Sequence, residues 1–183
     1  MRLQKKLRKL RLLPPRRCKI LRTKGLNELS LDKDVEKILV PEEEAKEICK
    51  RLGEQISKDY EGKRLLLVSV LKGAVVFMAD LMRSITCDCQ IDFMAVSSYS
   101  GTKTTGVVKF KKDLDINPDG CDILLVEDIL DSGVTLAYLK NVLMDRNAAS
   151  IKVCAFLDKP ANRQADISAD YVGKVIPDEF VIG

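Results

Sequence analysis

Apolar and polar positions come in blocks along this chain, and the blocks change period. Residues 35–40 form a short apolar stretch compatible with a strand. Pro41 and then Glu42, Glu43 and Glu44 make the kind of opening a helix favours, and Ile48, Leu52 and Ile56 follow at helical spacing. Residues 65–71 are a continuous apolar run interrupted only by Ser69, which suits a buried strand. A helical pattern over 74–85 comes next, then a strand over 91–98. Residues 97–106 are polar and bracketed by Gly101 and Gly106. They predict a mobile segment, or a simple hairpin if 107–111 is the returning strand; both can hold. Beyond a loop over 109–120, residues 123–126 are again wholly apolar, bounded by the turn residues Asn117, Pro118, Asp119 and Gly120. Leu136, Leu139, Val142 and Leu143 then share one helix face, residues 151–157 read as a further buried strand, and Tyr171 and Val172 open the last segment. Strand and helix alternate, so the pattern predicts an α/β fold with a twisted, mostly parallel sheet flanked by helices.

Composition narrows the chemistry. The chain has 183 residues, enough for one domain with a sizeable core, and no apolar run long enough to span a membrane. Its net charge of +4 is unevenly placed. Residues 1–24 carry 11 Lys and Arg and no acid, which leaves 20 basic against 27 acidic residues in the remainder. A chain-wide nucleic-acid surface is therefore not implied. Residues 1–24 read as a basic extension without fixed structure, a surface helix or a targeting peptide, and residues 25–183 as the functional domain. The 6 cysteines form no C-x-x-C pair, and reduced thiols in a cytoplasmic protein are the expectation. Histidine is absent. That excludes histidine triads and histidine-ligated metals, so a general base must be a carboxylate or lysine, and an oxygen-bound metal is the expectation.

The richest chemistry follows the strand at 123–126. Glu127 and Asp128 come directly after it, then Asp131, Ser132, Gly133, Val134 and Thr135, where the helix begins. The carboxyl end of a parallel strand leading into a helix is where open α/β sheets bind ligands. Free N–H groups at the new helix suit a phosphate, Gly133 admits close approach, and Ser132 and Thr135 supply hydroxyls. Acids beside such a site can hold sugar hydroxyls, a hard cation such as Mg²⁺, or a proton in transfer. The stretch reads as a ribose-phosphate cradle. A solvated turn capped by Asp131 or Ser132 is the plain alternative.

Residues 126–135 resemble the phosphoribosyl-pyrophosphate (PRPP) signature of the type I phosphoribosyltransferases, and other segments resemble the hypoxanthine-guanine branch; together they cover about residues 31–183. The resemblance implies the type I fold with a small hood of terminal segments. It implies transfer of the phosphoribosyl group from PRPP to hypoxanthine or guanine, with Mg²⁺, in purine salvage. Glu127 and Asp128 are then the ribose and metal ligands, and residues 131–135 the 5′-phosphate cradle, with Asp131 also the proton acceptor at purine N7. Neighbouring residues on a strand point oppositely, so Glu127 and Asp128 act together only where the chain bends. Lys72 and Gly73 resemble the family's pyrophosphate loop, in which the peptide before the lysine is commonly cis. Ser98 and Tyr99 match the loop that closes over the site. Arg163 matches an arginine near the pyrophosphate, Lys159 the lysine that reads the purine's exocyclic oxygen, and Phe180 and Val181 the base-binding segment. Homo-oligomers (dimers or tetramers), and neither membrane nor nucleic acid, are the implied partners.

The chain departs from the family at Lys174, where an aromatic residue is usual, and ends at Gly183, before an aspartate and an arginine of the family; this resembles a C-terminal truncation. The alternatives that stay open are a PRPP-sensing RNA-binding regulator, an inactive relative, and a xanthine or orotate phosphoribosyltransferase.

Overall fold

The structure, a computed structural model, describes residues 37–98 and 108–181. They fall into two units. The larger, Glu43–Glu179, contains the sheet. The smaller includes residues 37–42, Phe180 and Val181. Residues 37–41 hold no strand, contrary to the reading of 35–40 as far as they are described, and Ile38 is exposed. The expected hood falls partly outside the described residues, and so do residues 1–24 and Tyr99.

In chain order the elements are α1 (Glu42–Asp59), β1 (Leu65–Val70), α2 (Val75–Ser84), β2 (Cys89–Ser98), β3 (Val108–Lys112), β4 (Asp122–Leu130), α3 (Val134–Met144), β5 (Ser150–Asp158), a 3₁₀ turn (Pro160–Asn162) and β6 (Tyr171–Val175). The described strands form one six-stranded sheet in the order β3-β2-β1-β4-β5-β6. Every neighbouring pair is parallel except β2 and β3. The mostly parallel sheet expected from the sequence is present, and β2 and β3 are the stem of the hairpin that residues 97–111 suggested.

Parity along the strands separates the two faces. Ile123 and Leu125 of β4 and Ile151, Val153 and Ala155 of β5 share a core cluster with Leu136, Leu139 and Leu143 of α3. On the other face the Phe77 ring of α2 meets Phe156 of β5, with centroids 5.1 Å apart. The α1 stripe is buried at Ile48, Leu52 and Ile56, as its spacing required. Each such side chain contributes roughly 1.5–3 kcal/mol by leaving water. Both faces of the central strands are covered, which is why residues 65–68 and 123–126 are unbroken apolar runs.

One boundary differs in a way that matters. β4 does not end at Val126; it continues through Glu127 and Asp128 to Leu130. The reason lies in its two neighbours. Pairing with β1 stops at Ser69↔Val126, but β5 runs on and holds Glu127↔Ala155, Ile129↔Leu157 and Leu130↔Asp158. The two acids therefore sit on a strand supported from one side, and the loop proper is only residues 131–133.

Candidate active site

The chain leaves β1 toward β2 on one side and leaves β4 toward β5 on the other. β1 and β4 are adjacent, so a crevice opens between their carboxyl ends, the usual place for a ligand in an open α/β sheet. Two loops line it, residues 71–74 after β1 and 131–133 after β4. The Leu71–Lys72 peptide is cis. Lys72 and Gly73 are exposed. Gly73 lies so close to Asp128 that an added Cβ would stand 3.1 Å from the carboxylate carbon. The β1 loop thus abuts one of the two acids at the end of β4.

Glu127 and Asp128 form a tense pair. Burial, and then the adjacent Asp128 charge, hold the Glu127 carboxyl well above the usual carboxylate range. Asp128 Oδ1 accepts from the Ile129 N–H at 2.9 Å. Among the described residues, no group of three or more metal-ligating side chains comes together. Two adjacent carboxylates still suit a hard cation that keeps water and substrate phosphates as its other ligands. A cation would also offset the burial and the Asp128 repulsion that raise the Glu127 carboxyl.

The loop after β4 ends in Gly133, the N-cap of α3, with φ 76°. Its conformation is left-handed, and no side chain caps the helix. The capped-turn alternative, with Asp131 or Ser132 as cap, is thereby corrected. The helix N-terminus faces the crevice with uncapped N–H groups, beside the hydroxyl residues Ser132 and Thr135. A side chain at Gly133 would strike Ile167 and crowd Arg163, so close packing as well as φ favours glycine.

The segment after β5 ties this loop down. Lys159 N–H donates to Leu130 O (3.0 Å), Gln164 N–H to Ser132 O (2.9 Å) and Ala165 N–H to Ser132 O (3.1 Å). Arg163 Nη1 donates to Leu130 O at 2.9 Å and to Asp131 O, while Nη2 pairs with Asp158 Oδ1. The guanidinium assigned to pyrophosphate thus grips the loop's own backbone.

Asp131 and Lys159 meet at 3.6 Å through Oδ1 and Nζ. The Lys159 ammonium also pairs with Asp178 (2.9 Å) and donates to Glu179 O (3.3 Å). Asp178, then Asp131, hold the ammonium's pKa above its ordinary value. Asn162 Nδ2 donates to Asp131 Oδ1 at 2.7 Å. Neither Asp178 nor Asn162 was picked out from the sequence. Both flank residues that were, but nothing in a linear pattern marks a side chain that reaches back to a loop 31 residues earlier.

Phe180 belongs to the smaller unit and is 93% exposed, so it is not a core residue. Val181 is half-buried. Ser98 ends β2, and Tyr99 lies outside the described residues.

Comparisons with known proteins agree with this architecture. The family model described as a phosphoribosyl transferase domain matches residues 37–183. A hypoxanthine-guanine phosphoribosyltransferase of Staphylococcus aureus is 48% identical over 151 residues, which is 82% of this chain and 84% of that one. The bifunctional protein TilS/HprT of Listeria monocytogenes is 48% identical over 160 residues, covering 87% of this chain; the chain spans only 24% of that longer relative. A crystal structure of a hypoxanthine phosphoribosyltransferase from Staphylococcus aureus superposes with a TM-score of 0.81 at 46% identity, over 85% of each chain. One from Trypanosoma cruzi gives 0.78 at 38%, over 82% of this chain and 87% of that one. The sheet order, the crevice and these matches agree that the chain belongs to the phosphoribosyltransferase family, in its hypoxanthine-guanine branch.

Proposed function

We propose that this chain transfers the 5-phosphoribosyl group from PRPP to hypoxanthine or guanine, giving IMP or GMP and pyrophosphate. The observation that carries the reading is a single cluster. A carboxylate and an ammonium, Asp131 and Lys159, stand 3.6 Å apart beside the uncapped N-terminus of α3. Together they offer a proton acceptor, a donor for an exocyclic oxygen and a phosphate cradle.

The residues divide the work. Asp131, Ser132, Gly133, Val134 and Thr135 hold the 5′-phosphate through backbone N–H groups and hydroxyls. Glu127 and Asp128 hold the ribose hydroxyls and would hold Mg²⁺, which supplies charge neutralisation for the leaving pyrophosphate. Lys72 and Gly73 receive the pyrophosphate on the other side of the crevice, and Ser98 and Tyr99 belong to a lid that excludes water. N9 of the base bonds to C1′ of the ribose as the bond to pyrophosphate breaks. Asp131 takes the proton released at N7. Lys159 donates to the 6-oxo group, and against adenine's amino group it would face a donor instead. Phe180 stacks on the purine face and the Val181 backbone meets its edge. Arg163 is better read as the brace of the phosphate loop than as a pyrophosphate ligand, because its contacts are with that loop and Asp158.

No described helix is long and apolar enough to cross a membrane. Five described cysteines are free thiols, which supports a cytoplasmic setting. Exposed Val75, Val76 and Met82 on α2 support a homo-oligomer.

The test is a product assay with Mg²⁺, PRPP and each of hypoxanthine, guanine, xanthine, adenine and orotate. IMP and GMP from the first two bases are expected. Product from xanthine or orotate alone, or from no base, would overturn the assignment.

A further inference from the structure

We infer that Asn162 is a positioning residue for the proton acceptor: its amide holds Oδ1 of Asp131 and leaves Oδ2 as the oxygen that takes the purine proton. The inference rests on the reading of Asp131 as base and assigns the working atom within it.

The geometry is specific. Asn162 Nδ2 donates to Asp131 Oδ1 at 2.7 Å. An ionised carboxylate only accepts, so the amide nitrogen, not its oxygen, must face it. Lys159 Nζ lies 3.6 Å from the same oxygen. No hydrogen bond to Oδ2 is found among the described residues. One oxygen is thus anchored and the other is available.

Lys159 is a poor anchor by itself. Its ammonium is drawn to Asp178 at 2.9 Å and Glu179 O at 3.3 Å, and a 6-oxopurine would compete for the same donors. Among the described residues the Asn162 amide makes only this side-chain hydrogen bond. It ends the 3₁₀ turn Pro160–Asn162, with its N–H on Lys159 O at 3.3 Å. Pro160 presets the backbone of that turn. Arg163, Gln164 and Ala165 then fasten the following residues to Leu130, Asp131 and Ser132. Donor and acceptor ride on two segments cross-tied around them, so the hydrogen bond persists while substrate comes and goes. A base fixed in plane and direction is worth more than one free to turn.

The experiment uses the whole chain with saturating Mg²⁺, with PRPP varied up to saturation. Asn162→Ala, Asn162→Asp and Asp131→Asn are assayed with hypoxanthine and with 8-azahypoxanthine, whose ring N–H is more acidic and depends less on a base. Asn162→Asp keeps the shape and loses the donor, so it serves where the alanine variant melts early. We expect kcat with hypoxanthine to fall about tenfold in Asn162→Ala, a fraction of what a general base supplies, and further in Asn162→Asp. The fall with 8-azahypoxanthine is about threefold or less, and KM for PRPP stays within about twofold. Equal losses with both bases, or a KM for PRPP that rises in step, would mean that Asn162 only supports the loop and would overturn the inference. So would parental kcat in both Asn162 variants alongside an inactive Asp131→Asn. If Asp131→Asn itself keeps full turnover, the base reading falls, and Asn162 with it.

Discussion

Arg163 is where the sequence resemblance and the tertiary contacts lead to different expectations, and Arg163→Met separates them. The substitution keeps most of the apolar stem and removes the guanidinium. Arg163 and Asp158 are 16% and 14% exposed, so Asp158 would be left largely buried and without its partner. Removing one member of a fully buried pair costs about 3–5 kcal/mol; partial access to water lowers this to about 2–3 kcal/mol. Leu130 O would keep the Lys159 N–H at 3.0 Å, but Asp131 O would lose its Arg163 donor, roughly a further 1 kcal/mol. These terms share atoms and do not add fully, so about 3 kcal/mol is the expected total. Urea unfolding followed by circular dichroism at fixed pH measures it, with a midpoint about 1–2 M lower. Adding Asp158→Asn removes the stranded charge and should restore about 1–2 kcal/mol, which a double-mutant cycle reads directly. In activity assays KM for PRPP should rise about tenfold, because the loop proposed to cradle the 5′-phosphate is no longer braced. A variant with a parental midpoint, within about 0.5 kcal/mol, and a defect confined to pyrophosphate affinity in the reverse reaction would refute the brace and reinstate the direct contact.

Two further outcomes follow from the same crevice. Gly73→Ala should destabilise by about 1–2 kcal/mol, since the new Cβ displaces the Asp128 carboxylate and with it the bond from the Ile129 N–H. Its PRPP saturation curve should shift more than its melting curve, and parental values for both would show that Asp128 moves aside without consequence. Glu127 titrates above its ordinary value of 4.5 when folded, so the folded state binds the extra proton and the group's contribution is greatest at low pH. That contribution is lost as pH rises through the folded pKa. Glu127→Gln, in the absence of Mg²⁺ and PRPP, should therefore match the parent near pH 4.5 and gain on it as pH rises; parallel urea midpoints across the series would contradict the burial argument.

Most of the architecture was legible in the chain itself. Residues 65–68 and 123–126 announce buried parallel strands because both of their faces are apolar, and that follows from composition alone. The stripe Ile48, Leu52, Ile56 and the face Leu136, Leu139, Leu143 announce their helices in the same way, since a period of 3.6 needs no knowledge of neighbours. The order of residues from Glu127 to Thr135 carried the candidate site, because a strand end, acids, a glycine and a helix start are local features. What the sequence could not carry was anything set by a partner strand or a returning segment. β4 runs on to Leu130 because β5 is there to pair with it, while β1 has already turned away. Arg163 braces the loop, and Asn162 reaches Asp131, only because the segment after β5 folds back across the end of β4. Glycine at position 73 resembled part of a pyrophosphate loop, yet its need is for space beside Asp128. Periodicity and composition are written into the chain one residue at a time; the pairing of distant backbone groups and the room left between them exist only once the sheet has closed around the crevice.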